Sequence, residues 1–411
     1  MKADQTPSQD DDTKHVLQER GADGAEAGVE QEGEEELTYP FDPEQISISS
    51  QIVPLSYLIE RINDNSISSP PIQRGKNLWT PTQQSRLIES LMLKIPLPLF
   101  YVSIDKEEHW SIVDGLQRIS AIRNYIVNKS FQLTGLEFLK NECDNLIYSS
   151  LPAKYQKRIK ETQLQFATIN ATTPLAVQRT IFKRLNTGGL PLSAQEIRHA
   201  LHFGNSALLL EKLSKTDEFT QATTFSINDS RMAARELILR FTAFLVRGVK
   251  AYPRNDDMDE FLCETMQFMN AMPDCSKARL QKEFYKLPDN IDCKYTNLEI
   301  IEEKFILAMK RARDLLGENA FRKSTSYQTY RTPVNKALFE TTSVILAEMS
   351  ESDFNIVLSK KSQLSTMLNL LFNADPKFSL FISKDSLKFH SVNHRFDLLK
   401  KVFTTLLQAE S

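Results

Sequence analysis

Trp110-Ser111-Ile112-Val113-Asp114-Gly115-Leu116-Gln117-Arg118 is the stretch on which the fold turns. Trp110–Val113 has strand composition, Asp114-Gly115 marks a sharp corner, and Ile119, Ile122, Tyr125 and Ile126 follow at helical spacing. A strand that enters a helix through a glycine corner aims the first-turn N–H groups at one place. Those groups lack intrahelical partners, and the helix dipole adds partial positive charge, so the place attracts anions. Arg118 adds a forked cation suited to a phosphate, and Gly115 permits close backbone approach. The same residues also read as an ordinary turn in which Asp114 caps the helix and Arg118 is solvated. Asp114 has the hard oxygen ligand that Mg²⁺ takes, and equally the side chain of a corner residue.

Working outward, Leu55, Leu58, Ile59 and Ile62 predict a helix over 53–62, broken by the Ser68-Ser69-Pro70-Pro71 run. Thr80 reads as an N-cap with Pro81 at the first helical position, and the helix runs to about Lys94, burying Leu87, Leu91 and Ile88. Leu99–Ile104 has strand composition and is joined to Trp110 by an acidic turn. Phe131–Leu133 is expected as another short strand, and Gln163–Ile169 alternates like a half-buried one. Pro174 opens a helix carrying Val177, Ile181, Phe182 and Leu185 that stops at Asn186-Thr187-Gly188-Gly189, a C-cap pattern. Ser193 and Glu196 form a capping box for a further helix.

Beyond about 205 the texture changes. Segments 231–249, 257–270, 297–316, 333–349 and 394–408 show helical spacing, with sparse Gly and Pro and no alternating strand. The fold class expected is α+β followed by an all-α part.

The 411 residues are 41% hydrophobic and 25% charged, which is ordinary globular usage, and no apolar run is long enough to span a bilayer. The first 44 residues hold 14 Asp or Glu against 3 Lys or Arg, so the rest of the chain is mildly basic. That acidic tail, over 1–45, has too little apolar surface to offset the entropy of ordering and is expected to be disordered. It starts with no secretory signal, and a cytoplasmic setting is expected. Cys143, Cys263, Cys275 and Cys293 show no C-x-x-C pair, so neither a zinc site nor a disulfide framework is expected. His199 and His202 share a helix face but lack a third ligand of fixed spacing. His390, Asn393 and His394 crowd into one stretch, unlike the spread ligands of a hairpin-and-helix nuclease, and this stretch reads as a helix start with Arg395 exposed. No Walker-type Gly-Lys-Ser/Thr loop, Gly-x-Ser-x-Gly or His-Glu-x-x-His occurs.

Taken in order, Gln73-Arg74, Trp79, Leu87-Ile88-Glu89-Ser90, Ile95-Pro96-Leu97-Pro98, Asp114-Gly115, Gln117-Arg118 and Asn186-Thr187-Gly188-Gly189 resemble the N-terminal domain of GmrSD-type modification-dependent restriction systems, over roughly residues 50–205. The resemblance implies a ParB/sulfiredoxin-like nucleotide-binding domain over 46–205 and a helical domain over 206–411. It implies a nucleoside triphosphate held with Mg²⁺ by Gln73, Arg74, Asp114, Gly115, Gln117, Arg118, Asn186, Thr187 and Gly188, with Asp114 on the metal. Trp79 is expected to pack as core. Leu116 departs from the family, which has Gln there, and this bears on nucleotide turnover. The partners implied are DNA and a separate nuclease subunit, since the nuclease's own His-x-x-Pro segment is absent here. The implied function is an NTP-binding component of a restriction or defence system, with slow hydrolysis an open extension. The other reading is a non-enzymatic DNA-binding or adaptor protein with a relic pocket. Asn393–Phe396 resembles the family's closing stretch and implies packing against the N-terminal domain.

Overall fold

The computed structural model describes residues 28–30, 47–68, 79–104, 108–170, 173, 177–178, 180–181, 193–284, 286–323 and 331–408. In chain order the first part contains β1 (Ile48–Pro54), α1 (Leu55–Asn63), β2 (Ile67–Ser68), α2 (Pro81–Met92), β3 (Phe100–Ile104), β4 (Trp110–Asp114) and α3 (Leu116–Ile122). A π-helical turn (Arg123–Val127), α4 (Lys140–Cys143), α5 (Ala153–Glu161) and β5 (Gln163–Ile169) follow. The strands form one mixed sheet in the order β1-β5-β3-β4-β2. β1 runs antiparallel to β5, with Ile48 opposite Ile169 and Pro54 opposite Gln163. β3 lies parallel to β5 and antiparallel to β4, and the register shifts between Tyr101 and Val102, where β4 carries the extra residue Val113 beside the Asp114 corner. β2 adds a short parallel edge on β4.

Three rings fill the centre of the sheet's main face. Phe166 stacks on Phe100 at 5.1 Å and tilts against Trp110 at 5.0 Å. α1, α2, α3 and α5 cover them, burying Leu58, Ile88, Leu91, Ile122 and Ile159 completely. Such aromatic pairs add specific geometry to a large apolar area removed from water. The sheet's other face carries Val113 and Ile169, packed against Ile197 and Ala200 of α6 (Ala194–Leu201). Both faces are therefore covered, which suits the parallel pairings.

Two helix starts obey their sequence signals. Thr80 accepts from the N–H of Gln83, while the Gln83 side chain accepts from the N–H of Thr80, and Pro81 follows. Ser193 and Glu196 do the same for α6. Three expectations change. Val53 and Pro54 belong to β1, so the first helix starts at Leu55. Phe131–Leu133 is not a strand: Leu133 bonds only to Leu146 and Asn145, at a turn too short to extend a ladder. Of the tail expected to be disordered, only Gly28–Glu30 are among the described residues, and there Val29 bridges Val334 while Glu30 meets Lys323 at 2.5 Å. The helix expected from Pro174 is described only at 177–178 and 180–181, all helical.

The remaining described chain is helical: α7 (Asn205–Ser214), α8 (Asp217–Ala222), α9 (Ala233–Arg247), α10 (Met258–Ala271), α11 (Lys277–Glu283), α12 (Leu298–Leu316), α13 (Lys336–Glu348), α14 (Glu351–Ser359), α15 (Lys361–Ala374), α16 (Pro376–Phe381) and α17 (Phe389–Gln408). The protein divides into two compact units. One gathers the described residues of Glu34–Phe219 and Asn228–Ile306. The other gathers Gly28–Glu30, Thr220–Ile227 and the described residues of Leu307–Ser411.

In this second unit Arg395 is not exposed. It is wholly buried and paired with the equally buried Glu340. Its other N–H groups donate to the carbonyls of Ser386 and Phe381 and to the Thr341 hydroxyl. All four partners lie in the unit that contains Arg395, so the packing of Arg395 is a matter of the helical part.

Candidate functional site

The Asp114–Arg118 corner is built from backbone geometry first. Gly115 sits at φ 97°, a left-handed conformation that side chains rarely adopt. A Cβ there would lie 2.5 Å from Cδ1 of Phe100 and 3.2 Å from Nη2 of Arg118. Glycine is therefore required twice, by torsion and by space. As the N-cap of α3 it supplies no side-chain bond to the first-turn N–H groups.

Arg118 closes the corner. Its Nη2 donates to Oδ2 of Asp114 at 2.8 Å and to the carbonyl of Leu99 at 3.2 Å, and Nη1 donates to the carbonyl of Pro98. The guanidinium lies 4.3 Å above the centre of the Phe100 ring. Burial pulls its pKa down from the ordinary value and Asp114 pulls it back up, which leaves an arginine protonated at neutral pH. One side chain thus fastens the Ile95–Pro98 link, the end of β4 and the start of α3. The side chain of Arg118 is 12% exposed and that of Asp114 40% exposed. Among the described residues the Asp114 carboxylate accepts one hydrogen bond, that of Arg118 on Oδ2.

Gln117 accepts the N–H of Trp79 at 3.4 Å, and Gln84 donates to the carbonyl of Trp79 at 2.9 Å. These bonds fix α3 to the start of α2, and Trp79 packs against the main core as expected. Leu116 also packs against this core, so an apolar side chain there has a place that a polar one would not fill as well. The helical rise then slackens into the π turn, where the N–H of Asn128 reaches the carbonyl of Arg123. Such insertions often sit beside functional residues.

The structure thus brings Asp114, Gly115, Gln117 and Arg118 together. Gln73, Arg74, Asn186, Thr187 and Gly188 lie outside the described residues. Sequence reasoning missed the work of Glu89. Its buried carboxylate accepts the N–H groups of Glu137, Phe138 and Leu139 at 3.0, 2.7 and 2.8 Å. It orders the whole loop ahead of α4, and its signal in the sequence was one acid on an otherwise apolar helix face.

The other candidates act in packing. His199 is buried, neither ring nitrogen has a hydrogen-bond partner, and its pKa falls to about 4 through burial and the nearby Arg235, opposed by Glu211. His390 and His394 both meet the Phe381 ring edge-on, at 5.6 and 5.1 Å. No group of three His, Cys, Asp or Glu residues able to hold a metal occurs among the described residues. All four cysteines are free thiols, with Cys143 and Cys263 buried. Cys275 and Cys293 share a hydrogen bond, and burial pushes the Cys293 thiol up to about 12. Among the described residues no helix is long and apolar enough to cross a membrane.

These features define a small α+β domain, a mixed sheet covered on both faces, with a strand–glycine–helix corner clamped by one arginine. Residues 55–203 match the family described as GmrSD restriction endonuclease, N-terminal domain. α7 to α17 lie beyond the matched residues. No curated protein and no solved structure matches the chain.

Proposed function

We propose that the protein is the nucleotide-binding component of a DNA-directed restriction or defence system, acting in the cytoplasm beside a separate nuclease. The observation that carries this reading is the corner itself. First-turn N–H groups follow a glycine that cannot cap them, beside a carboxylate whose side chain is 40% exposed. Backbone donors of this kind suit phosphate oxygens. A single carboxylate suits Mg²⁺, which keeps several waters and takes its remaining ligands from phosphates. Asp114 would hold the metal, which neutralises phosphate charge when bound. Arg118 holds Asp114 and the Pro98 and Leu99 carbonyls in place, and its charge favours an anion at the corner. Gln73, Arg74, Asn186, Thr187 and Gly188 are the further contacts expected from the family pattern. Nucleotide state would then be read by a partner through differential binding.

The test is thermal unfolding of the full chain with Mg²⁺ and each of ATP, GTP, CTP and UTP. A ligand at about a hundred times its dissociation constant adds roughly 2.7 kcal/mol, a shift of several degrees. Asp114→Asn, which keeps the shape of the corner, is expected to remove the shift. No shift with any nucleotide rejects the reading.

One observation favours a second reading. Leu116 is committed to the core where the family carries Gln, which points to a corner retained for architecture in a DNA-binding adaptor. That reading expects no nucleotide shift, and binding to duplex DNA that weakens linearly in log affinity against log salt.

A further inference from the structure

The second unit contains a cavity of about 420 Å³ between α12, α13, α15 and α17. It has room for roughly 14 water-sized groups at about 30 Å³ each. Its apolar lining includes Leu315, Leu338, Phe372, Leu399 and Phe403. The first turns of α15 add Lys361, Ser362, Ser365 and Thr366 to the lining. Among the described lining residues Lys361 and Arg322 are the cations, and none is Asp or Glu. The Arg322 guanidinium donates to the carbonyls of Thr332 and Thr223 and to the Thr224 and Ser226 hydroxyls, so it is fixed in place. Lys361 is held only at the rim, where its Nζ donates to the Asp314 carbonyl at 2.6 Å.

α15 turns apolar residues toward the cavity. Leu364 alone is buried, while Leu368 and Phe372 are half-buried against the cavity. A helix with apolar residues lining a void forfeits the dispersion and burial that a filled core provides. Pockets of this size, mainly apolar with a few convergent polar groups, are the usual form of small-molecule sites.

We propose that this cavity binds a small amphiphile with an apolar body and one anionic end, of which a medium-chain carboxylate is the simplest member. The chain lies along Leu338, Phe372 and Phe403, and the anion meets Lys361 and the hydroxyls of Ser362, Ser365 and Thr366. The binding ties α15 to α12 and α13. It does not rest on the nucleotide reading of the first domain.

The experiment is calorimetric titration of the full chain with sodium decanoate, 1-decanol and decyltrimethylammonium, each kept below self-association. One decanoate per chain is expected, decanol bound about tenfold more weakly for want of the charged hydrogen bond, and no binding of the cation. Ser365→Trp fills the cavity and is expected to abolish binding with the circular dichroism spectrum unchanged. Lys361→Gln, at an exposed position, is expected to weaken decanoate about tenfold without moving the unliganded melting temperature. No saturable decanoate binding, equal binding of all three probes, or full-strength decanoate binding by folded Ser365→Trp overturns the proposal. Should Ser365→Trp not fold, unchanged decanoate affinity in Lys361→Gln overturns it equally.

Discussion

Arg118 and Arg395 each sit in a motif that the sequence singles out, and each ends in an ion pair, yet the two surroundings differ. Arg395 is wholly buried, its partner Glu340 is wholly buried, and its other acceptors lie inside the helical unit. Water cannot replace any of them. Arg118 keeps part of its surface, Asp114 is 40% exposed, and the two carbonyls that it holds belong to the exposed Pro98 and half-exposed Leu99. Water can take its place there. A buried pair is costly to break because one charge is stranded in low dielectric. A pair at the rim of a corner holds geometry at modest cost and leaves charge available to a ligand. The same residue type therefore serves architecture in one unit and a candidate site in the other.

The comparison is open to four measurements. Arg395→Ala is expected to cost about 3–5 kcal/mol in urea unfolding followed on the helical unit, because Glu340 is left charged and unpaired. Arg395→Met with Glu340→Leu should recover most of that loss, and failure to recover it would mean the pair is more than a packed unit. Gly115→Ala is expected to cost roughly 3 kcal/mol, from a strained left-handed torsion and the Phe100 overlap, with loss of any nucleotide shift. An unperturbed Gly115→Ala would break the picture of the corner.

His199 supplies a titration. Its folded pKa of about 4 lies below the ordinary 6.5, so the unfolded chain binds the proton more readily between those values. Stability is then full above about pH 6.5 and falls by roughly 2–3 kcal/mol as pH drops toward 4. His199→Leu should flatten that slope, measured by urea midpoints across the range; an unchanged slope would place the titration elsewhere. The smallest effect is expected for Arg118→Ala, about 1–2 kcal/mol, since water re-satisfies the Pro98 and Leu99 carbonyls. A loss as large as that of Arg395→Ala would erase the distinction between the two arginines.

Much of this was legible beforehand because the signals were local. Thr80-Pro81 with Gln83, and Ser193 with Glu196, specify helix starts through bonds spanning three residues, and both form as read. The Asp-Gly corner was legible because only glycine adopts its torsion cheaply. β1 was not legible. Its residues are mostly exposed and do not alternate, and it exists because β5 offers a free edge more than a hundred residues later. Phe131–Leu133 failed for the converse reason, a strand-like composition with no ladder to join. Glu89 and Arg395 stand in stretches that the family resemblance marks, yet nothing in those stretches announces that each side chain is buried against distant partners.

By itself the sequence determined the α+β-then-α order, the caps, the glycine corner and the family of residues 55–203, since periodicity, capping and torsion act over a few residues. The tertiary structure alone decided which strands pair, that Arg118 is engaged and Arg395 sealed, and that α15 borders a cavity. Those outcomes depend on what a side chain meets after the chain has closed on itself, and burial and desolvation have no local signature.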